Sequence, residues 1–161
     1  MRNRLFFPVV LLALTLHSAI ASAQQVMVQA AGEKQTILAR ADIEALPRVK
    51  VTSSASGAST TFEGVSLRAV LAKAVVGYRE TLKGKRMDSC LLVEAADGYR
   101  VVFALPELDP AFTEKQVILA FLKDGKSLDD KEGPYRIVIP EEKRMARWIR
   151  QVTTLKIVDV Q

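Results

Sequence analysis

Residues 133–152 read GPYRIVIPEEKRMARWIRQV. Tyr135 to Ile139 is an apolar run of strand length, and Pro140 ends it. Two acids follow, then four cations, Lys143, Arg144, Arg147 and Arg150, around Trp148, the only tryptophan in the chain. From Trp148 to Val160 the sequence turns β-branched and alternates in part, with Val152, Leu155, Ile157, Val158 and Val160 apolar. Two strands therefore flank one basic turn. A helical turn over 141–147 would bring Lys143, Arg144 and Arg147 near one another. Its start after Pro140 would aim free backbone N–H groups outward, as an anion requires. The alternative is a solvated charge run offset by Glu141 and Glu142, with Trp148 as a core anchor.

Working back toward the N-terminus, strand and helix signals alternate irregularly. Val26–Gln29 and Gln35–Leu38 read as short strands around the turn 31–34. Ala41–Leu46 reads as a helical turn stopped by Pro47. Arg48–Ser53 reads as a strand and Ser53–Thr60 as a small polar loop. Thr61, Phe62 and Glu63 lead into Gly64. Leu67, Val70, Leu71, Ala74 and Val75 then recur at helical spacing, with Ser66 as N-cap. Cys90–Ala95 and Tyr99–Ala104 form a hairpin about Asp97-Gly98. Gln116–Leu122 is a further strand. The pattern predicts a strand-rich α+β domain of mixed sheets with short helices, not a helical bundle or a doubly wound sheet.

Residues 1–23 have the three parts of a secretory signal: Arg2 and Arg4, the apolar run Leu5–Leu16, and Ala21-Ser22-Ala23 as a cleavage site. The apolar run is shorter than the roughly 17–25 residues a membrane span needs. Cleavage would leave one domain, Gln24–Gln161, with no stable membrane span. The Met1-Arg2-Asn3-Arg4 start holds no adjacent arginine pair, so the signal reads as Sec-type and the product as periplasmic or secreted. Loss of Arg2 and Arg4 lowers the formal charge from +5 to +3, which gives no argument for nucleic acid.

The single histidine, His17, lies in that signal. The remaining chain can hold no Ser-His-Asp triad, Cys-His dyad or His-ligated metal. Its one cysteine, Cys90, has no internal disulfide partner and reads as a buried inert thiol in a strand, with an intermolecular disulfide or a reactive thiol as the alternatives. Glu94 with Asp97, and Glu107 with Asp109, read as surface or turn carboxylates. Asp129, Asp130 and Glu132 lack calcium-loop spacing and read as a solvated loop. No residue is assigned a catalytic or metal-binding role.

The order of segments is more specific than any one of them. ADIEALPRVKVT, FEGVSLRAVL, ADGYRVVFALPELDP, ILAFLKDGKSL and the closing GPYRIVIPEEKRMARWIRQVTTLKI together resemble the oxidoreductase molybdopterin-binding domain family, the sulfite-oxidase-type fold, from Ala41 to Ile157. The resemblance implies a mixed α+β fold of several small sheets. It also implies that basic residues of the closing motif help hold the pterin phosphate. Arg144, Arg147 and Trp148 fall on those positions, with Lys143 beside them, and guanidinium groups suit the task.

Two features of the family are missing. Its catalytic members bind molybdenum through a cysteine that precedes the G-V-x-L segment, and VTSSASGASTTFE before Gly64 holds none. Its cofactor-contacting histidines are missing too. Sec substrates cross unfolded, which a cofactor held by folded structure would not survive. The expectation is a cofactor-free binding module for a small anionic ligand or an envelope protein partner. The alternative is a molybdopterin-dependent oxidoreductase or its accessory subunit.

Overall fold

A computed structural model describes residues 24–160 except Ser56. The signal reading at 1–23 lies outside the described residues. Among those described, no helix is long and apolar enough to cross a membrane.

The strands are β1 (Gln25–Gln29), β2 (Thr36–Ala39), β3 (Arg48–Ser53), β4 (Thr60–Ser66), β5 (Ser89–Ala95), β6 (Arg100–Ala104), β7 (Ile118–Lys123), β8 (Lys126–Ser127), β9 (Arg136–Val138) and β10 (Val152–Asp159). Two short helices join them, α1 (Arg40–Glu44) and α2 (Leu67–Ala74). The first sheet has the order β2-β1-β10-β5-β6. Only its β1–β10 pair is parallel, with Val28 opposite Leu155. The second sheet runs β3-β4-β7-β8, and β9 also pairs with β7. This is the strand-rich α+β class the segment pattern predicts.

Alternation places each strand in its layer. In β5 every odd-numbered residue from Ser89 to Ala95 is buried, and in β6 Val101 and Phe103 are. All of these but Ser89 join Val26, Val28, Leu155 and Ile157 in one core. β7 shows no such alternation, since Ile118 to Phe121 are all buried. It is the interior strand of the second sheet, covered on both faces.

Several sequence expectations change here. Thr60–Ser66 is a full strand, because Gly64 lets β4 approach β7 closely: a Cβ on Gly64 would lie 2.2 Å from the Leu119 carbonyl oxygen. Ser66 makes no side-chain cap, and the first helical N–H, that of Leu67, donates to Val117 O at 2.9 Å. The helical turn expected over 141–147 contracts to a 3₁₀ turn, Met145–Arg147, and Arg144 is extended. Just after Pro140, Glu142 N–H already donates to Ile139 O, so it is not free for an anion. Cys90 is half-buried, because it lies on the outer face of β5.

The closing segment does not leave the domain after β9. It folds back along that strand: Ile137 N–H donates to Ile149 O at 2.8 Å, and Val152 N–H to Tyr135 O at 2.9 Å. Gln151, at φ 50°, turns the chain from this second-sheet contact into β10 of the first sheet. Trp148 is thereby pressed against the second sheet.

Candidate functional site

The site gathers around Arg136, which occupies a strand buried at every position. A guanidinium there must find both charge and hydrogen-bond partners. Its Nη1 donates to Glu132 Oε1 at 2.6 Å, and Lys123 Nζ stands 3.3 Å from Glu132 Oε2. Arg136 also lies between two rings, with Cζ 5.3 Å from the Phe62 centroid and 5.7 Å from that of Trp148. Phe62 and Trp148 meet edge to face at 5.7 Å. Burial draws the Arg136 pKa below its ordinary value, and the Glu132 carboxylate acts in the opposite direction.

A cavity of about 310 Å³ opens on this group. Ser53 at the end of β3, Thr60 at the start of β4, Lys123, Arg136, Trp148 and the exposed Arg150 line it. Two buried donors of residues that line it lack any protein acceptor: Arg136 Nε and Trp148 Nε1. A buried unpaired N–H costs roughly 1–3 kcal/mol, so a bound acceptor would recover free energy here. A second cavity of about 590 Å³, reaching Tyr99 and Asp97, shares Met145, Trp148 and Arg150 with the first.

The structure separates the four residues of the basic motif. Trp148 is 4% exposed and lines both cavities. Lys143 and Arg144 are exposed and line neither cavity. Arg147 turns toward the first sheet. It lies 4.7 Å over the Phe103 ring and pairs with Glu107 at 3.1 Å and with Glu142. Burial opposes its charge, but those two carboxylates outweigh burial and raise its pKa.

No motif in the sequence singles out Arg136 or Lys123, and Glu132 reads there as part of a solvated loop. A signal was present: an arginine inside the apolar run YRIVI needs a partner, and Glu132 stands four positions earlier. Glu132 is accordingly not part of a solvated loop. Asp109 is also buried, at 3% exposure, where it accepts from Leu82 N and Ala111 N and faces Arg68 at 3.6 Å.

Fold and cleft together define a strand-rich α+β domain with buried, unpaired donors beside a cleft. The family model for the oxidoreductase molybdopterin binding domain matches residues 12–161, and the chain belongs to that family. Among solved structures, the sulfane dehydrogenase SoxCD from Paracoccus pantotrophus is similar, with a TM-score of 0.65 and 22% identity over 86% of this chain. The likeness is one of fold, the sulfite-oxidase-type molybdopterin fold. This chain spans only 39% of that one. No curated protein matches.

The family implies molybdopterin. The pterin's phosphate would find suitable donors in Arg136 and Trp148. The metal would not find a suitable ligand, because molybdenum in this class takes a soft thiolate. The cleft offers the hydroxyls of Ser53 and Thr60, and Cys90 lies in the other sheet, paired in register with Val158 and Ala104. Among the described residues, no group of three His, Cys, Asp or Glu is placed to hold a metal. The donor set suits an oxyanion and does not suit molybdenum.

Proposed function

We propose that this chain is an exported, cofactor-free binding module built on the molybdopterin-binding fold, and that it takes a small anionic ligand in the Trp148 cleft. The observation that carries this reading is the pair of buried, unpartnered donors, Arg136 Nε and Trp148 Nε1. Residues 1–23 supply the reason for export to the periplasm, through the positive start, apolar run and small-residue cleavage site. The exposed Lys143 and Arg144, which line neither cavity, add screened positive charge that favours arrival of an anion, or docking of an acidic envelope protein.

Because the chain has one tryptophan, its indole N–H gives a single NMR resonance. Titration with simple oxyanions should shift that resonance saturably. A resonance unmoved by every anion would end this reading. Family membership favours a second one, an oxidoreductase or accessory subunit that carries molybdopterin without a protein thiolate.

A further inference from the structure

The formal charge of the chain from Gln24 onward is concentrated in one place. Residues 73–88 hold five cations, Lys73, Arg79, Lys83, Lys85 and Arg86, against two carboxylates, Glu80 and Asp88, a net charge of +3. The whole chain from Gln24 also carries +3, so the remainder is neutral. The fold keeps these cations together. Arg79 Nε donates to Ala72 O at 3.4 Å, which brings it back onto α2 beside Lys73. Arg86 lies over the Tyr78 ring, with Cζ 5.9 Å from its centroid. Lys83 and Lys85 flank Gly84, at the start of the 3₁₀ turn Gly84–Asp88. Lys73, Arg79, Lys83 and Lys85 are exposed, and among the described residues none of the five cations pairs with a carboxylate. Two exposed apolar side chains stand beside them. Met87 and Val160 lie at the adjacent ends of β5 and β10, where Ser89 is paired in register with Asp159 and its hydroxyl donates to that carboxylate at 2.7 Å.

We propose that residues 73–87 dock the protein peripherally on an anionic phospholipid surface. Exposed lysines without carboxylate partners give up no ion pair when they turn toward a field of phosphates. Their compact ammonium groups on flexible stems suit such a diffuse array better than the fixed fork of a stereospecific partner site. A bilayer surface accepts the cations at its headgroups and side chains such as Met87 and Val160 at the acyl boundary. Nucleic acid fits less well, because the aromatic residue of the patch, Tyr78, is buried with Arg68 and Arg86 against its ring and offers no face to a base. The patch shares no residue with the two Trp148 cavities, so membrane docking and anion binding are separate properties.

The test is co-sedimentation of the processed chain, from Gln24 onward, with two kinds of vesicle: phosphatidylcholine alone, and phosphatidylcholine with phosphatidylglycerol at about one lipid in three. The protein should sediment with the anionic vesicles at low salt, stay in solution with the neutral ones, and be released at about 0.5 M sodium chloride. Each basic residue near such a surface strengthens attachment roughly fivefold, so the double variant Lys83→Gln, Lys85→Gln should bind about tenfold or more weakly. The double variant Lys126→Gln, Lys156→Gln removes the same charge from exposed, unpaired lysines elsewhere and should stay within about twofold of wild type. Failure of the wild type to bind anionic vesicles would overturn the proposal, as would equal binding to neutral ones. Equal weakening in both double variants would overturn it too, since attachment would then follow total charge and not this patch. If the Lys83, Lys85 variant does not fold, the wild-type comparison of the two vesicles and of the two salt concentrations decides alone.

Discussion

Arg136 and Trp148 lie against each other, guanidinium to ring centre at 5.7 Å, and each carries a buried N–H without a protein acceptor. Arg136 has its other partners already: Glu132 at Nη1 and the Phe62 face. Its charge is thus held for structure, while its Nε remains unpaired.

Replacing Arg136 by Met should therefore affect both stability and binding. The side chain is 8% exposed, and its loss leaves Glu132 with Lys123 alone. Removing one partner of a buried pair typically costs about 3–5 kcal/mol, and the surviving lysine should reduce this to about 2–3 kcal/mol. Urea unfolding measures the loss. Acetate should no longer shift the Trp148 indole resonance.

Arg147→Ala should behave differently. Arg147 is 31% exposed and joins Glu142 to Glu107, tying the closing segment to the first sheet. Solvent screening limits the cost to about 1–2 kcal/mol. Acetate binding should stay within about twofold of wild type, since the residue lines neither Trp148 cavity. A large loss of binding in a variant of normal stability would return Arg147 to the site.

Two buried tyrosines set the behaviour in alkali. Burial pushes Tyr78 and Tyr135 up to about 12 from an ordinary 10. Their folded pKa values exceed the unfolded ones, so the contribution is fully present below pH 10. It is lost as pH rises from 10 through 12, because the unfolded chain ionises first. Unfolding free energy measured across that interval should fall, and more slowly in Tyr135→Phe. The Tyr135 hydroxyl has no partner, so Tyr135→Phe should also be about 1 kcal/mol more stable near neutral pH. A destabilised Tyr135→Phe would contradict the unpaired hydroxyl.

Gly64→Ala should be severely destabilising, by about 3 kcal/mol or more, because the added Cβ meets the Leu119 carbonyl and the Ala120 Cα, at 2.2 and 2.6 Å, in the adjacent strand. Soluble yield and thermal unfolding would report it. Near-wild-type stability would mean that β4 and β7 can separate at little cost.

The hairpin about Asp97-Gly98, the helix at Leu67–Ala74 and the strand after Gln151 are legible in the sequence, because their periodicity and turn chemistry are local. β4 is not legible as a strand, since its glycine is required by a neighbouring strand more than fifty residues away. The basic motif reads as one cluster, but a 3₁₀ turn sends Arg147 to Glu107 and Trp148 to Arg136. Which cation meets which carboxylate depends on tertiary placement. Lys123, Ser53 and Phe62 come from three other strands, and nothing in their local sequence joins them to Trp148.

The most direct measurement is molybdenum and pterin content per chain in protein purified natively from its own host. The expected result is neither molybdenum nor pterin, in a protein whose Trp148 indole resonance still responds to acetate. Near-stoichiometric molybdenum would contradict the central claim and establish a cofactor site that dispenses with the thiolate.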